Sequence, residues 1–115
     1  MPVPLFEIEV TVDRDVVVVR VKGELDLAGR SRLDGVLADS EAGEARRIVL
    51  DLDQLTFIDA AGLYGLDAAS ARSADSGSRM RMTRGKGEVA SIFRLTSLDR
   101  TLPFTVLSPG WPGCP

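Results

Sequence analysis

The chain of 115 residues contains no histidine. The Ser-His-Asp and Cys-His nucleophile systems therefore cannot be assembled from it, nor can the usual histidine-bearing zinc sites. Cysteine is nearly as scarce. Cys114 stands alone beside the C-terminus, which excludes an internal disulfide or a thiolate metal cluster and fits a reducing, cytoplasmic setting. No apolar run approaches the roughly 18 residues that a membrane span needs, and the longest, Val16 to Val21, already contains Arg20. Met1-Pro2-Val3-Pro4 lacks the basic and apolar regions of a signal peptide, so export is not expected. Positive charge is also in short supply: fourteen Lys and Arg against seventeen Asp and Glu leave a net charge of −3, and no cationic stripe is present to track a phosphate backbone. Nucleic acid is not an expected partner.

What remains has the composition of a single globular domain, expected over residues 1–107, with Ser108 to Pro115 as an irregular tail of three prolines and two glycines. Phe6, Ile8, Val10 and Val12 alternate with Glu7, Glu9, Thr11 and Asp13, which predicts an edge strand with one wet face. After the polar turn Asp13-Arg14-Asp15, the run Val16 to Lys22 completes an antiparallel hairpin. Leu33, Val36 and Leu37 have helical spacing, and the signals at Asp26 and Gly43 place a first helix from Leu27 to about Ser40. Arg47 to Leu52 reads as a central strand covered by helices. Asp53 to Asp59 reads as a loop, and Asp59 caps a second, alanine-rich helix from Ala60 to Ala74 that stops at Gly77. A short strand over Arg79–Thr83, a turn at Gly85-Lys86-Gly87, a third helix carrying Val89, Ile92 and Phe93 to about Thr96, and a last strand over Phe104–Leu107 complete the order. No internal repeat or linker is found. The fold class is α/β: a small mixed sheet with an N-terminal antiparallel hairpin and helices packed against it.

Few residues suggest chemistry. Gly85-Lys86-Gly87 lacks the spacing and the magnesium-binding hydroxyl of a phosphate loop. Asp51, Asp53 and Asp59 match no metal-binding pattern, and solvation and capping account for them better than metal binding or acid/base catalysis. No catalytic residue, metal site or cofactor is expected. Leu55-Thr56-Phe57-Ile58-Asp59-Ala60-Ala61-Gly62-Leu63 is different, because it sets apolar groups beside a helix N-terminus whose N–H groups would suit an anion or a partner's acidic group. Small residues at Ala60, Ala61 and Gly62 would also let a partner approach the backbone.

At this segment the chain resembles the STAS family, named for sulfate transporters and anti-sigma factor antagonists. Three stretches carry the resemblance: Val-Lys-Gly-Glu-Leu-Asp at Val21 to Asp26, Ile-Val-Leu-Asp-Leu running into Phe-Ile-Asp-Ala-Ala-Gly-Leu between Ile48 and Leu63, and Ile-Phe-Arg-Leu-Thr-Ser-Leu-Asp-Arg at Ile92 to Arg100. The resemblance implies the small mixed sheet already inferred, and a non-enzymatic role. Antagonists of this family bind an anti-sigma factor, usually an ATP-binding serine kinase, and so free a sigma factor for transcription. The kinase then phosphorylates the Ser or Thr that follows the motif aspartate.

The matching position in this chain is Ala60, which has no hydroxyl. Thr56 and Ser70 lie nearby but do not align with the acceptor. The partner contacts that the resemblance implies come from Asp26, the Thr56 to Asp59 segment (Thr56, Phe57, Ile58, Asp59) and the helix start at Ala60, Ala61, Gly62 and Leu63. The alternative is a STAS subunit of a lipid- or anion-transport complex or of a signalling scaffold, in which no phosphoswitch is used. Family members also commonly end in a further amphipathic helix, which Ser108 to Pro115 cannot form. Apolar surface left uncovered by its absence would favour a homodimer or a bound partner.

Overall fold

The structure is a computed structural model and describes residues 6–106. The tail expected over Ser108 to Pro115 lies outside the described residues. Strand β1 (Phe6–Asp13) pairs antiparallel with β2 (Val16–Leu25), which pairs parallel with β3 (Arg47–Ile58), which in turn pairs parallel with β4 (Met80–Met82). The sheet order β1-β2-β3-β4 follows the chain, with β1 at an edge as its alternation requires. Parallel neighbours need crossovers. Helices α1 (Leu27–Ala42) and α2 (Ala60–Asp75) provide them, and α3 (Gly87–Leu95) and a short 3-10 turn at Leu98–Arg100 follow.

One face of the sheet carries the core. Val17, Val19 and Val21 of β2, Leu50 and Leu52 of β3 and Met80 and Met82 of β4 are buried against Leu33 and Leu37 of α1, Leu66 and Ala69 of α2, and Val89 and Phe93 of α3. Helix α2 buries Gly62, Gly65, Leu66, Ala69 and Ser73, a stripe at helical spacing made largely of small side chains. The opposite face carries charge. Glu9 of β1 stands across from Arg20 of β2, which stands across from Asp51 of β3. Arg20 Nε donates to Asp51 Oδ2 at 3.0 Å, and Lys22 Nζ donates to Glu9 Oε1 at 3.1 Å. Asp51, expected to be solvated, is instead buried, because its pairing with Arg20 offsets the loss of water.

Two further expectations are corrected. The residues from Asp53 to Ile58 are not a loop but the second half of β3. Twice along this stretch the pairing with β2 slips, between Arg20 and Lys22 and between Gly23 and Glu24, so that β3 contributes an extra residue each time. Each slip reverses which side faces inward, and Leu52, Leu55 and Ile58 are all buried although they are spaced by three. The strand expected at Phe104–Leu107 is a single parallel bridge from Phe104 to Met82, with Thr105 N donating to the Met82 carbonyl at 2.8 Å. A three-residue β4 offers little edge to pair with, and Pro103 has no N–H of its own to donate. The Gly85-Lys86-Gly87 turn forms as expected, with φ of 70° at Gly85 and 57° at Gly87.

Candidate functional site

The site lies where β2 and β3 end side by side. Leu25 and Ile58 are the last paired residues of the two strands, and each is followed by an aspartate and a helix. Asp26 Oδ1 accepts from Gly29 N at 3.0 Å, and Asp59 Oδ1 accepts from Gly62 N at 2.9 Å. These are the same cap formed twice by the same pattern, an aliphatic residue and an aspartate followed three residues later by glycine: Leu25-Asp26-Leu27-Ala28-Gly29 and Ile58-Asp59-Ala60-Ala61-Gly62. At this scale the chain does repeat itself, though the similarity is too short to register as a domain-level repeat.

Two contacts tie the repeats together. Asp59 N donates to the Leu25 carbonyl at 3.2 Å, and Thr56 Oγ1 donates to the Gly23 carbonyl at 3.1 Å. Gly62 sits so close that a Cβ placed on it would lie 2.5 Å from the Leu25 carbonyl oxygen. Its smallness therefore serves the packing of α2 on β2 and not the approach of a partner. The Gly62 and Asp59 N–H groups are also already spent within the chain, which leaves the α2 start less open to an anion than its sequence suggests.

The expected contact residues divide by exposure. Ile58 and Gly62 are buried and frame the surface from beneath. Asp26, Asp59, Ala61 and Leu63 are half-buried, while Thr56, Phe57 and Ala60 are exposed. Phe57 is 43% exposed beside Ile58 at 2%, a consequence of the second slip in β3. Sequence reasoning missed Tyr64, which is 68% exposed one helical turn after Ala60. Helical spacing from Ala60 would have found it. It also missed Leu98 and Thr96, which join Ala60, Leu63, Tyr64 and Asp67 around a groove of about 240 Å³. No local signal brings these two residues to α2. Leu27, 66% exposed, occupies in the first cap the place that Ala60 occupies in the second.

Asp51, Asp53 and Asp59 do not converge. Asp51 pairs with Arg20 and accepts from Asp53 N at 3.0 Å, and Asp59 is committed to its cap. Among the described residues no helix is long and apolar enough to cross a membrane.

Solved structures share this architecture. An anti-sigma factor antagonist from Mycobacterium paratuberculosis is similar with a TM-score of 0.74 at 24% identity, covering 89% of this chain and 86% of that one. The anti-sigma factor antagonist SpoIIAA in its unphosphorylated form gives 0.70 at 20% identity, over 90% and 89%. The Bacillus cell-fate determinant SpoIIAA in its phosphorylated form gives 0.62 at 19% identity, over 90% and 92%. At such identities the likeness establishes a shared fold, the mixed sheet with its helices on one face. Residues 7–107 match the STAS domain, nearly the whole of the described chain, and the protein belongs to the STAS domain family.

Proposed function

We propose that this chain is a non-enzymatic, protein-binding regulator of the anti-sigma factor antagonist kind, working in the cytoplasm. Its partner in this reading is an anti-sigma factor with an ATP-binding serine kinase domain, and binding releases a sigma factor. The observation that carries the proposal is the exposed apolar set Phe57, Ala60 and Tyr64 around the aspartate-capped start of α2, beside the like-capped start of α1, in a STAS fold. Structures of SpoIIAA exist in unphosphorylated and phosphorylated forms. The resemblance puts the acceptor position of this chain at Ala60, whose methyl group cannot take a phosphate. Phosphorylation would bring about −1.5 to −2 charges into a close-packed contact. Without an acceptor the surface stays in its binding-competent state, and release needs some other cause.

A second reading follows from the same alanine. A STAS subunit of a lipid- or anion-transport complex or a signalling scaffold has no use for a phosphoswitch, and Ala60 is equally at home there. Capture of partners by the parent and by Ala60→Asp separates the two. Recovery of an ATP-binding anti-sigma protein by the parent, lost with Ala60→Asp, supports the antagonist. Recovery of transport or scaffold subunits by both proteins alike refutes it.

A further inference from the structure

The sheet has a second surface, at the edge opposite β4. Val10 and Val12 of β1 stand across from Val19 and Val17 of β2 and face the same way, yet they are 50% and 66% exposed while their partners are buried. Between this part of β1 and the end of α1 lies an open groove of about 670 Å³, floored by Val10, Val12, Val17, Val36 and Ala45. Helix α1 closes only the start of the edge, where the Arg32 side chain lies over the Phe6 ring and donates to the Phe6 carbonyl at 3.0 Å. Further along, β1 pairs only with β2 among the described residues, so alternate residues leave N–H and C=O groups without a ladder partner there.

The charges around this edge select what can pair with it. Between Phe6 and Asp13 there are three acids, Glu7, Glu9 and Asp13, and no base. They share the face opposite Val10 and Val12, where Glu9 is already paired with Lys22 and Arg20 of β2, and Glu7 and Asp13 have no ion-pair partner among the described residues. On the groove side, Asp39 and Glu44 have no ion-pair partner among the described residues, whereas Asp15 is neutralised by Arg46 at 2.8 Å. Among the described residues, Arg14 is the one base lining the groove. A second copy of this chain pairing through β1 would set acids against acids, which opposes self-association by this route.

We propose that the outer edge of β1 and its groove bind an extended segment of another protein in which apolar residues alternate with Lys or Arg. Such a strand adds to the sheet through its backbone, sends its apolar side chains into the valine-floored groove and sets its cations against Glu7 and Asp13. The surface is separate from the α2 start.

The test uses a synthetic peptide as long as β1, eight residues, alternating Lys and Val, added to the full chain and followed by amide NMR shifts. Perturbed amides should lie in residues 8–13 and 36–45. The Lys-Val peptide should bind at least about tenfold more tightly than its Glu-Val counterpart and weaken as salt is added. Val12→Lys, a change at an exposed position, should reduce the affinity about tenfold by blunting the edge, while Ala60→Asp should leave it unchanged. Absence of binding, equal binding of both peptides, shifts confined to other elements, or indifference to Val12→Lys would each overturn the proposal. So would sedimentation showing that the chain alone dimerises through β1.

Discussion

Gly62→Ala tests how rigidly the two strand ends are joined to the helices. The added Cβ would meet the Leu25 carbonyl oxygen at 2.5 Å, Ile58 Cγ1 at 2.8 Å and Leu25 Cγ at 3.0 Å. The carbonyl cannot turn aside, because Leu25 is held in the ladder opposite Ile58 and its oxygen accepts from Asp59 N. Overpacking of this kind costs about 1–3 kcal/mol. Alanine returns up to about 1 kcal/mol of helix propensity, so a net loss of about 1–2 kcal/mol is expected. Gly35→Ala in α1 is the control, since nothing lies within 4 Å of its Cβ position. There the same change should stabilise by about 0.5–1 kcal/mol. Urea unfolding followed by far-UV circular dichroism, with a slope of about 1–3 kcal/mol per molar, should separate the two midpoints by about 1 M. A Gly62→Ala midpoint at or above that of the parent would refute the reasoning and mean that α2 can lift off β2 at little cost.

The slip in β3 predicts opposite outcomes for neighbouring residues: Ile58→Ala should cost about 2–5 kcal/mol, and Phe57→Ala well under half of that, with circular dichroism melting as the check. Arg20→Met leaves Asp51 buried and unpaired and should destabilise by about 3 kcal/mol. The double change Arg20→Met with Asp51→Leu should recover much of this loss, and a double variant no better than the single would count against the pairing. The Lys22 ammonium holds the Glu9 carboxyl below the usual glutamate range, chiefly by its hydrogen bond and charge, with Arg20 adding to the effect. Because the folded-state value is the lower one, this contribution is present above the unfolded value and lost as pH falls through the folded one. In an NMR titration, Lys22→Gln should move the Glu9 midpoint upward, and an unmoved midpoint would refute the assignment.

The parts of the fold that were legible in the sequence are those with a single periodicity. The strict alternation of β1 placed it at an edge, and the aspartates at 26 and 59 marked both helix starts because a cap is a local affair of four consecutive residues. The second half of β3 was not legible. Its buried residues fall at a spacing of three, which belongs to neither an ideal strand nor a loop and arises only from slippage against β2. The same slippage left Phe57 and Ile58 indistinguishable in sequence although one is exposed and the other is core. The site residues supplied by α2 could be read from its spacing, but Thr96 and Leu98 reach the groove through the packing of the α3 end, which no window of sequence contains.

The twin caps also set the sign of the site's electric field. A helix N-terminus behaves as roughly half a positive charge, and two of them side by side would repel each other and attract anions. Each has its own carboxylate, Asp26 or Asp59, within hydrogen-bond distance. Two poles of about +0.5 against two charges of −1 leave the pair of caps at about −1, and Asp67 in the groove adds to the negative side. In the binding role proposed above, such a field would turn away an acidic surface and draw in a neutral or basic one, with a cationic counter-patch as its complement.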